Sequence, residues 1–354
     1  MKTAEEAARS VIAKSPENPM GYNVLGAVAL SEGRTDEAIS AFEKSLEVDP
    51  KFVPAVTNLA SISENAGDIE GARARYNTLR NHDDYNHGAL IGLAQISIRQ
   101  KEPERAETYL KQAIEHHPDS ISARLLLLDL YRSTNDFANA LIEADHALAL
   151  QPNSSMLLAV KADLSIRLGK RSDAEAAINR LQGQVDGSEN IQLLNMTGDL
   201  QAKIGNLVMA KADYQSVLEL DPQNLAATLG QIQISLVQSR FIEARERIDT
   251  LRKNNFENPN LDLLEARLLA GEKRFDEAVT IFTALADEDM REAATELAVL
   301  HYARGEFTEG SAVLSTWLAR HEKDMGARLM LANSFLQSGQ NDQAIIEYEK
   351  MLPS

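Results

Sequence analysis

Alanine returns at a fixed interval along this chain: Ala38, Ala72, Ala106, Ala140 and Ala174 stand 34 residues apart. After a slip of two residues the series resumes at Ala210, Ala244, Ala278, Gly310 and Ala344, so one interval is 36 and one is 32. Four residues after each comes a larger apolar group in most copies: Phe42, Tyr76, Leu110, Ile178, Tyr214, Ile248, Phe282, Leu314 and Tyr348, with Ala144 departing. Twelve residues before each stands a second series, Gly26, Ala60, Ala94, Leu128, Ala162, Gly198, Ile232, Ala266, Ala298 and Ala332, of which eight are small. Two small positions per period, each inside an apolar 3.6-residue pattern, are what two helices need to approach closely along their length. A bulky residue at Ala72 is therefore expected to cost about 1–3 kcal/mol by overpacking.

Between the two helices, Gly33, Gly67, Gly169, Gly205, Gly305 and Gly339 share one equivalent position, taken by Asn135 and Ser239 in other copies. Gly and Asn tolerate the left-handed conformation that ends a helix, so this is the turn. Pro50, Pro118, Pro152 and Pro222 follow the second helix and stop it, whereas Pro103 opens one, where its missing N–H does no harm. The chain is predicted to be all-α, one helical hairpin per period. A single hairpin cannot bury its own apolar face, so neighbours stack into a superhelix with a concave inner surface. That replaces the two or three globular domains that 354 residues alone would suggest.

Helix, turn and helix in 34 residues, with Gly or Ala, Ala, an aromatic and Pro in that order, closely resemble the tetratricopeptide repeat over the whole chain. The resemblance implies a right-handed superhelical solenoid of helix-turn-helix repeats. Ten units begin near 19, 53, 87, 121, 155, 191, 225, 259, 291 and 325, giving one continuous solenoid over 19–354. Ala4, Ala8 and Pro16 fall 34 positions ahead of Ala38, Phe42 and Pro50, so residues 1–18 read as the second helix of a truncated unit. Repeat arrays normally finish in polar caps, and neither end shows a clear one, so the chain is expected to be cut from a longer array.

Composition narrows the partners. The formal net charge of −17, from 53 acidic and 36 basic residues, opposes binding to nucleic acid or anionic lipid, which are recruited through Lys and Arg. The absence of cysteine removes disulfides, thiolate catalysis and Cys-based zinc sites together. No apolar run approaches the roughly 18 residues of a membrane span, and "MKTAEEAARS" is too charged for a secretory h-region, so direct membrane insertion is not expected.

In the family, the second, fifth, ninth, twelfth and thirteenth positions of the first helices usually face the groove. Carried onto this chain, they give an acid and a base one turn apart in three successive units: Asp129 and Arg132, Asp163 and Arg167, Asp199 and Lys203. Gln95, Arg99, Gln192, Asn195, Gln233, Arg267 and Asn333 extend the polar lining, and Ile91, Leu125, Leu229, Leu263 and Leu336 supply apolar contacts. The pairs have two compatible readings. They are either intrahelical ion pairs worth about 0.2–0.5 kcal/mol each, or a charged ladder for an extended peptide or a partner helix. The family's carboxylate clamp for chaperone tails is not matched, because the fifth positions of the first three units are Asn23, Thr57 and Ile91.

Catalytic and cofactor motifs are scarce. "LGKRSD" at 168–173 lacks the upstream Gly of a phosphate-binding loop and reads as a helix-ending Gly169 followed by solvated charges. "HDDYNHG" at 82–88 gathers His82, Asp83, Asp84 and His87 in one inter-repeat loop, a donor set that suits zinc, although such loops are commonly just polar. His116 and His117 close a second helix, where a cation suits the dipole. His301 is expected to be packed and hydrogen-bonded, and Trp317, the only tryptophan, to be core. The loops "QGQVDGSEN" at 182–190 and "RKNNFENPN" at 252–260 are the clearest irregularities, read as neutral drift or as hinges and side docking sites. No catalytic residue, metal site or cofactor is expected.

The function that follows is a non-enzymatic scaffold binding a protein or peptide in its groove. The wording of "KFVPAVTNLASISENAGDIEGARARY", "SARLLLLDLYRSTNDFANAL" and "QNLAATLGQIQISLVQSRFIEAR" resembles the tetratricopeptide lipoproteins of the bacterial exosortase (PEP-CTERM) sorting and exopolysaccharide system. That kinship implies an envelope, periplasmic assembly factor. Two alternatives stay open: the recognition arm of a larger enzyme such as a glycosyltransferase, and a cytosolic peptide-binding regulator.

Overall fold

The computed structural model describes residues 2–184 and 190–352. Among them all regular structure is helical, in 21 helices, and the chain divides into two compact units between Ala177 and Ile178. The first unit runs through α1 (Lys2–Lys14), α2 (Pro19–Ser31), α3 (Thr35–Val48), α4 (Val53–Asn65), α5 (Ile69–Arg80) and α6 (His87–Arg99). It continues through α7 (Pro103–His116), α8 (Ile121–Ser133), α9 (Phe137–Leu150) and α10 (Ser155–Arg167) into α11 (Arg171–Gln182), within which the division falls. The second unit holds α12 (Ile191–Lys203), α13 (Leu207–Leu220), α14 (Leu225–Val237), α15 (Phe241–Lys253) and α16 (Pro259–Gly271). It is completed by α17 (Phe275–Asp287), α18 (Arg291–Ala303), α19 (Phe307–Arg320), α20 (Met325–Gln337) and α21 (Asn341–Glu349).

Local chemistry sets the helix ends. Side chains of Asn18, Asn86, Ser120, Ser154, Asn190, Asn224, Asn258 and Asp324 cap the first helices by accepting a backbone N–H of the opening turn. Each first helix then stops at a left-handed residue. Gly33, Gly67, Gly169, Gly205, Gly305 and Gly339 have φ between 68° and 82°, Asn135 has 60° and Ser239 has 56°. Lys101 and Lys273 take the same conformation at the same position, with φ of 59° and 64°. Their turns close with the same backbone bond as the glycine turns: Asp68 N–H to the Ser63 carbonyl at 2.8 Å, Glu102 to Ser97 at 2.9 Å and Arg274 to Leu269 at 2.8 Å.

The two small-residue series are the seams of the hairpins. Ala38, Ala72, Ala106, Ala140, Ala174, Ala210, Ala244 and Ala278 are fully buried, as are Ala60, Ala94, Ala162, Ala266, Ala298 and Ala332. Where the first helix offers glycine, the second offers an aromatic ring. A Cβ on Gly26 would lie 2.6 Å from the Phe42 ring, and one on Gly198 would lie 2.7 Å from that of Tyr214. Tyr214 is also closed off by the next hairpin, where a Cβ on Gly230 would lie 2.4 Å from its ring. At Tyr214, ring and glycine thus lock one hairpin internally and to its neighbour.

The loop at 252–260 is a compact turn. Asn255, two residues past the end of α15, is left-handed with a φ of 55°, and Arg252 reaches forward to the carboxylates of Asp262 and Glu265 in α16. Of the other irregular loop, residues 185–189 lie outside the described residues.

Candidate functional site

In the first unit the first helices are tied to each other by polar side chains. The Asn58 amide of α4 donates to the Asn23 carbonyl oxygen of α2 at 3.1 Å. Arg99 of α6 donates from Nε and Nη2 to the two Glu64 oxygens of α4, each at 2.7 Å. Beside this ion pair opens a cleft of about 450 Å³, lined by Thr57, Ser61, Asn65, Tyr76, Gln95 and Gln100 together with Glu64 and Arg99. Apart from Ile69, its remaining walls carry hydroxyls and amides, so the cleft offers hydrogen bonds in both directions while its one cation and one anion neutralise each other. Burial raises the Tyr76 phenol above its ordinary pKa, against a hydrogen bond with Thr57, so it stays neutral there.

Further along, Arg132 donates to Asp129 at 3.1 Å and Arg167 to Asp163 at 2.7 Å, each within its own helix. The Arg167 guanidinium also lies 5.2 Å from the Phe137 ring centroid. Intrahelical pairing is therefore present in both. It leaves the outer edges of half-exposed guanidinium groups facing solvent.

In the second unit Asp199 accepts a 2.5 Å hydrogen bond from the Tyr214 hydroxyl. Burial, and then this bond, push the Tyr214 phenol far above its ordinary range. Lys203 is exposed in the last turn of α12. The Asn195 amide donates to Asn224, the cap of α14, at 3.2 Å, and its own carbonyl oxygen is buried without a partner among the described residues. Gln233 is exposed. Arg267 grips Glu296 of α18 through Nε at 3.0 and 2.9 Å, and Asn333 accepts from the Tyr348 hydroxyl at 2.6 Å. Arg99 and Arg267 thus make the same kind of link between successive first helices, one in each unit.

Sequence reasoning missed Glu64 and Glu296 as partners, and Ser61 and Asn65 as cleft walls. Thr57, Ser61, Glu64 and Asn65 stand at the fifth, ninth, twelfth and thirteenth positions of the second repeat. The same counting that singled out Gln95 and Arg99 in the third repeat reaches them.

The other singled-out residues are structural. His87 opens α6, its Nε2 2.6 Å from the Ser120 hydroxyl and its ring edge-on to His117 at 5.1 Å. Burial, and then His117, lower the pKa of His87. The four side chains at 82–87 do not converge, and among the described residues no three His, Asp or Glu stand close enough to share a metal ion. His301 is half-buried with Nδ1 2.7 Å from Glu306, and Trp317 is buried with its indole N–H on Asp324 at 3.0 Å. Among the described residues no helix is long and apolar enough to cross a membrane.

Family models described as tetratricopeptide repeat match residues 29–85, 66–128 and 97–164, residues 2–51 and 295–354, and residues 191–224. Cellulose synthase operon protein C of Pseudomonas fluorescens (strain SBW25) is 22% identical over 310 residues, 83% of this chain and 22% of that protein. The chain spans about a fifth of the length of the first curated relatives it matches. A tetratricopeptide repeat protein from Parabacteroides merdae ATCC 43184 superposes with a TM-score of 0.56 at 16% identity, covering 70% of this chain and 98% of that one. Yeast Tom70 superposes with a TM-score of 0.52 at 15% identity, covering 98% of this chain and 90% of that one. At such identities the likeness is one of fold. With helical hairpins locked by small residues, left-handed turns at one repeated position and family models matching in both units, the chain belongs to the tetratricopeptide repeat family.

Proposed function

We propose that this chain is a non-enzymatic scaffold that binds a polypeptide along its first helices. The observation that carries the reading is the cleft beside the Arg99–Glu64 pair. Its hydroxyls and amides suit the alternating donors and acceptors of an extended backbone, and its ion pair can reopen toward a charged side chain. On this reading Gln95, Arg99, Asp129, Arg132, Asp163 and Arg167 contact the partner in the first unit. Asn195, Asp199, Lys203, Gln233, Arg267 and Asn333 do so in the second. The ten repeats from residue 19 onward act as one continuous array, with residues 1–18 as the second helix of a further hairpin. The partner is a protein or peptide, and a net charge of −17 argues against nucleic acid.

For the setting, we infer a bacterial envelope assembly that handles exopolysaccharide or sorted proteins. A relative named for a cellulose synthase operon, matched over 83% of this chain, supports the exopolysaccharide half of that reading. The narrower kinship with exosortase-system lipoproteins rests on the wording of the repeats.

The test is affinity capture from separate envelope and cytosolic extracts of the source organism, read by mass spectrometry. The wild type is compared with Asn65→Ala/Gln95→Ala and with Arg132→Glu/Arg167→Glu/Lys203→Glu, at matched helicity. A partner captured from the envelope and lost in the variants is the expected result. Equal capture by all three proteins would sink the first-helix site, and capture confined to the cytosolic extract would overturn the envelope setting.

A further inference from the structure

The second residue of the second helix is acidic in half of the repeats: Asp36, Glu70, Glu104, Asp276 and Asp342. A carboxylate there is favoured by the positive end of the helix dipole. In α13 and α15, second helices of adjacent repeats, the same position carries Val208 and Ile242, which are 78% and 79% exposed. Neither the dipole nor the core accounts for an aliphatic side chain so placed. Met209, beside Val208, is 41% exposed as well. Lys211, nearly one turn beyond Val208, lies 3.2 Å from Glu243, the neighbour of Ile242, so the opening turns of α13 and α15 are side by side. These aliphatic side chains therefore share one corner of the second unit. Single exposed aliphatics are ordinary, whereas several gathered in one place mark a contact surface.

Charge indicates what that surface contacts. Lys211, Arg247 and Arg240 lie 3.2, 3.2 and 3.7 Å from the one Glu243 carboxylate. Three cations for one anion leave the corner basic, in a chain whose net charge is −17. We propose that this corner, formed on the second helices and apart from the first-helix site, docks an acidic amphipathic segment of a partner protein. Aliphatic side chains of the segment cover Val208, Met209 and Ile242, while its carboxylates face Arg240 and Lys211. An acidic segment is repelled by most of this molecule's surface and attracted here, which gives the docking its selectivity.

The test uses the full chain and a labelled synthetic helical peptide with leucine on one face and glutamate on the other, read by fluorescence anisotropy. A lysine-for-glutamate analogue is the control. Val208→Asp/Ile242→Asp restores the acid found at this position in other repeats, so its thermal midpoint should match or exceed the wild type. The acidic peptide should bind the wild type, weaken by about tenfold or more in that variant and in Arg240→Glu, and weaken with added salt. No binding of the acidic peptide, equal affinity in the variants, or equal binding of the lysine analogue would overturn the proposal. So would a wild-type dimer in sedimentation that Val208→Asp/Ile242→Asp dissolves, because the corner would then belong to a second copy of this chain.

Discussion

Arg99 and Glu64 stand 35 residues apart in the chain and meet in two parallel hydrogen bonds of 2.7 Å, Nε to Oε2 and Nη2 to Oε1. The pair fastens α6 to α4 at the mouth of the cleft, with the guanidinium half exposed and the carboxylate nearly covered. Solvent screening keeps such a link modest. A double-mutant cycle with Arg99→Ala and Glu64→Ala should return a coupling of no more than about 1 kcal/mol, smaller at high salt. The same variants should change partner capture more than stability, because the pair borders the proposed binding surface.

Tyr214 is held between two glycines, and that contact has no slack. Gly198→Ala should destabilise the second unit by about 1–3 kcal/mol, since the new methyl would lie within 2.7 Å of the ring. Gly230→Ala meets the same ring at 2.4 Å and should behave alike despite its better helix propensity. Urea denaturation followed by circular dichroism reads both. Tyr214→Leu in either background should recover part of the loss, which separates overpacking from a backbone effect.

The lysines at left-handed turn positions invite the opposite change. Lys101→Gly and Lys273→Gly should each stabilise the protein by about 1 kcal/mol, because glycine adopts φ near 60° without a Cβ clash. Gly67→Ala, at φ 82°, should cost a similar amount. Thermal midpoints of the single variants would reveal a wrong sign at once.

Two aspartates should show opposite pH dependence. The Arg291 guanidinium holds the Asp324 carboxyl well below its ordinary range, helped by the Ala327 N–H and the Trp317 indole. Its stabilisation is present above the unfolded value of about 3.9 and is lost as pH falls further. Asp324→Asn should therefore flatten the acid limb of the urea midpoint between roughly pH 4 and 2. Burial raises the Asp213 pKa instead, against hydrogen bonds from Thr197 and Gln182, and its Oδ2 finds no partner among the described residues. Its contribution is full below the unfolded value and fades as pH rises through the folded one. Asp213→Asn should thus gain on the wild type as pH rises toward neutrality, and a constant difference across that range would refute the assignment.

The sequence by itself determined the hairpin. The spacing of Ala38, Ala72 and their successors, the turn at Gly67 and the cap at Asn86 are local, and steric exclusion within a few residues decides them before any neighbour is present. Even there the reading was incomplete: Lys101 and Lys273 carry no glycine signal, yet they take the left-handed turn because the hydrogen bonds that close it and the packing of the next helix require it. Tertiary structure decided which side chains meet between helices. Asp129 and Arg132 pair within one helix, as spacing allows, whereas Arg99 finds Glu64, Arg267 finds Glu296 and Asp199 accepts from Tyr214. Side chains that reach several partners choose by the distance and angle at which neighbouring helices present them, and those are set only when the hairpins stack.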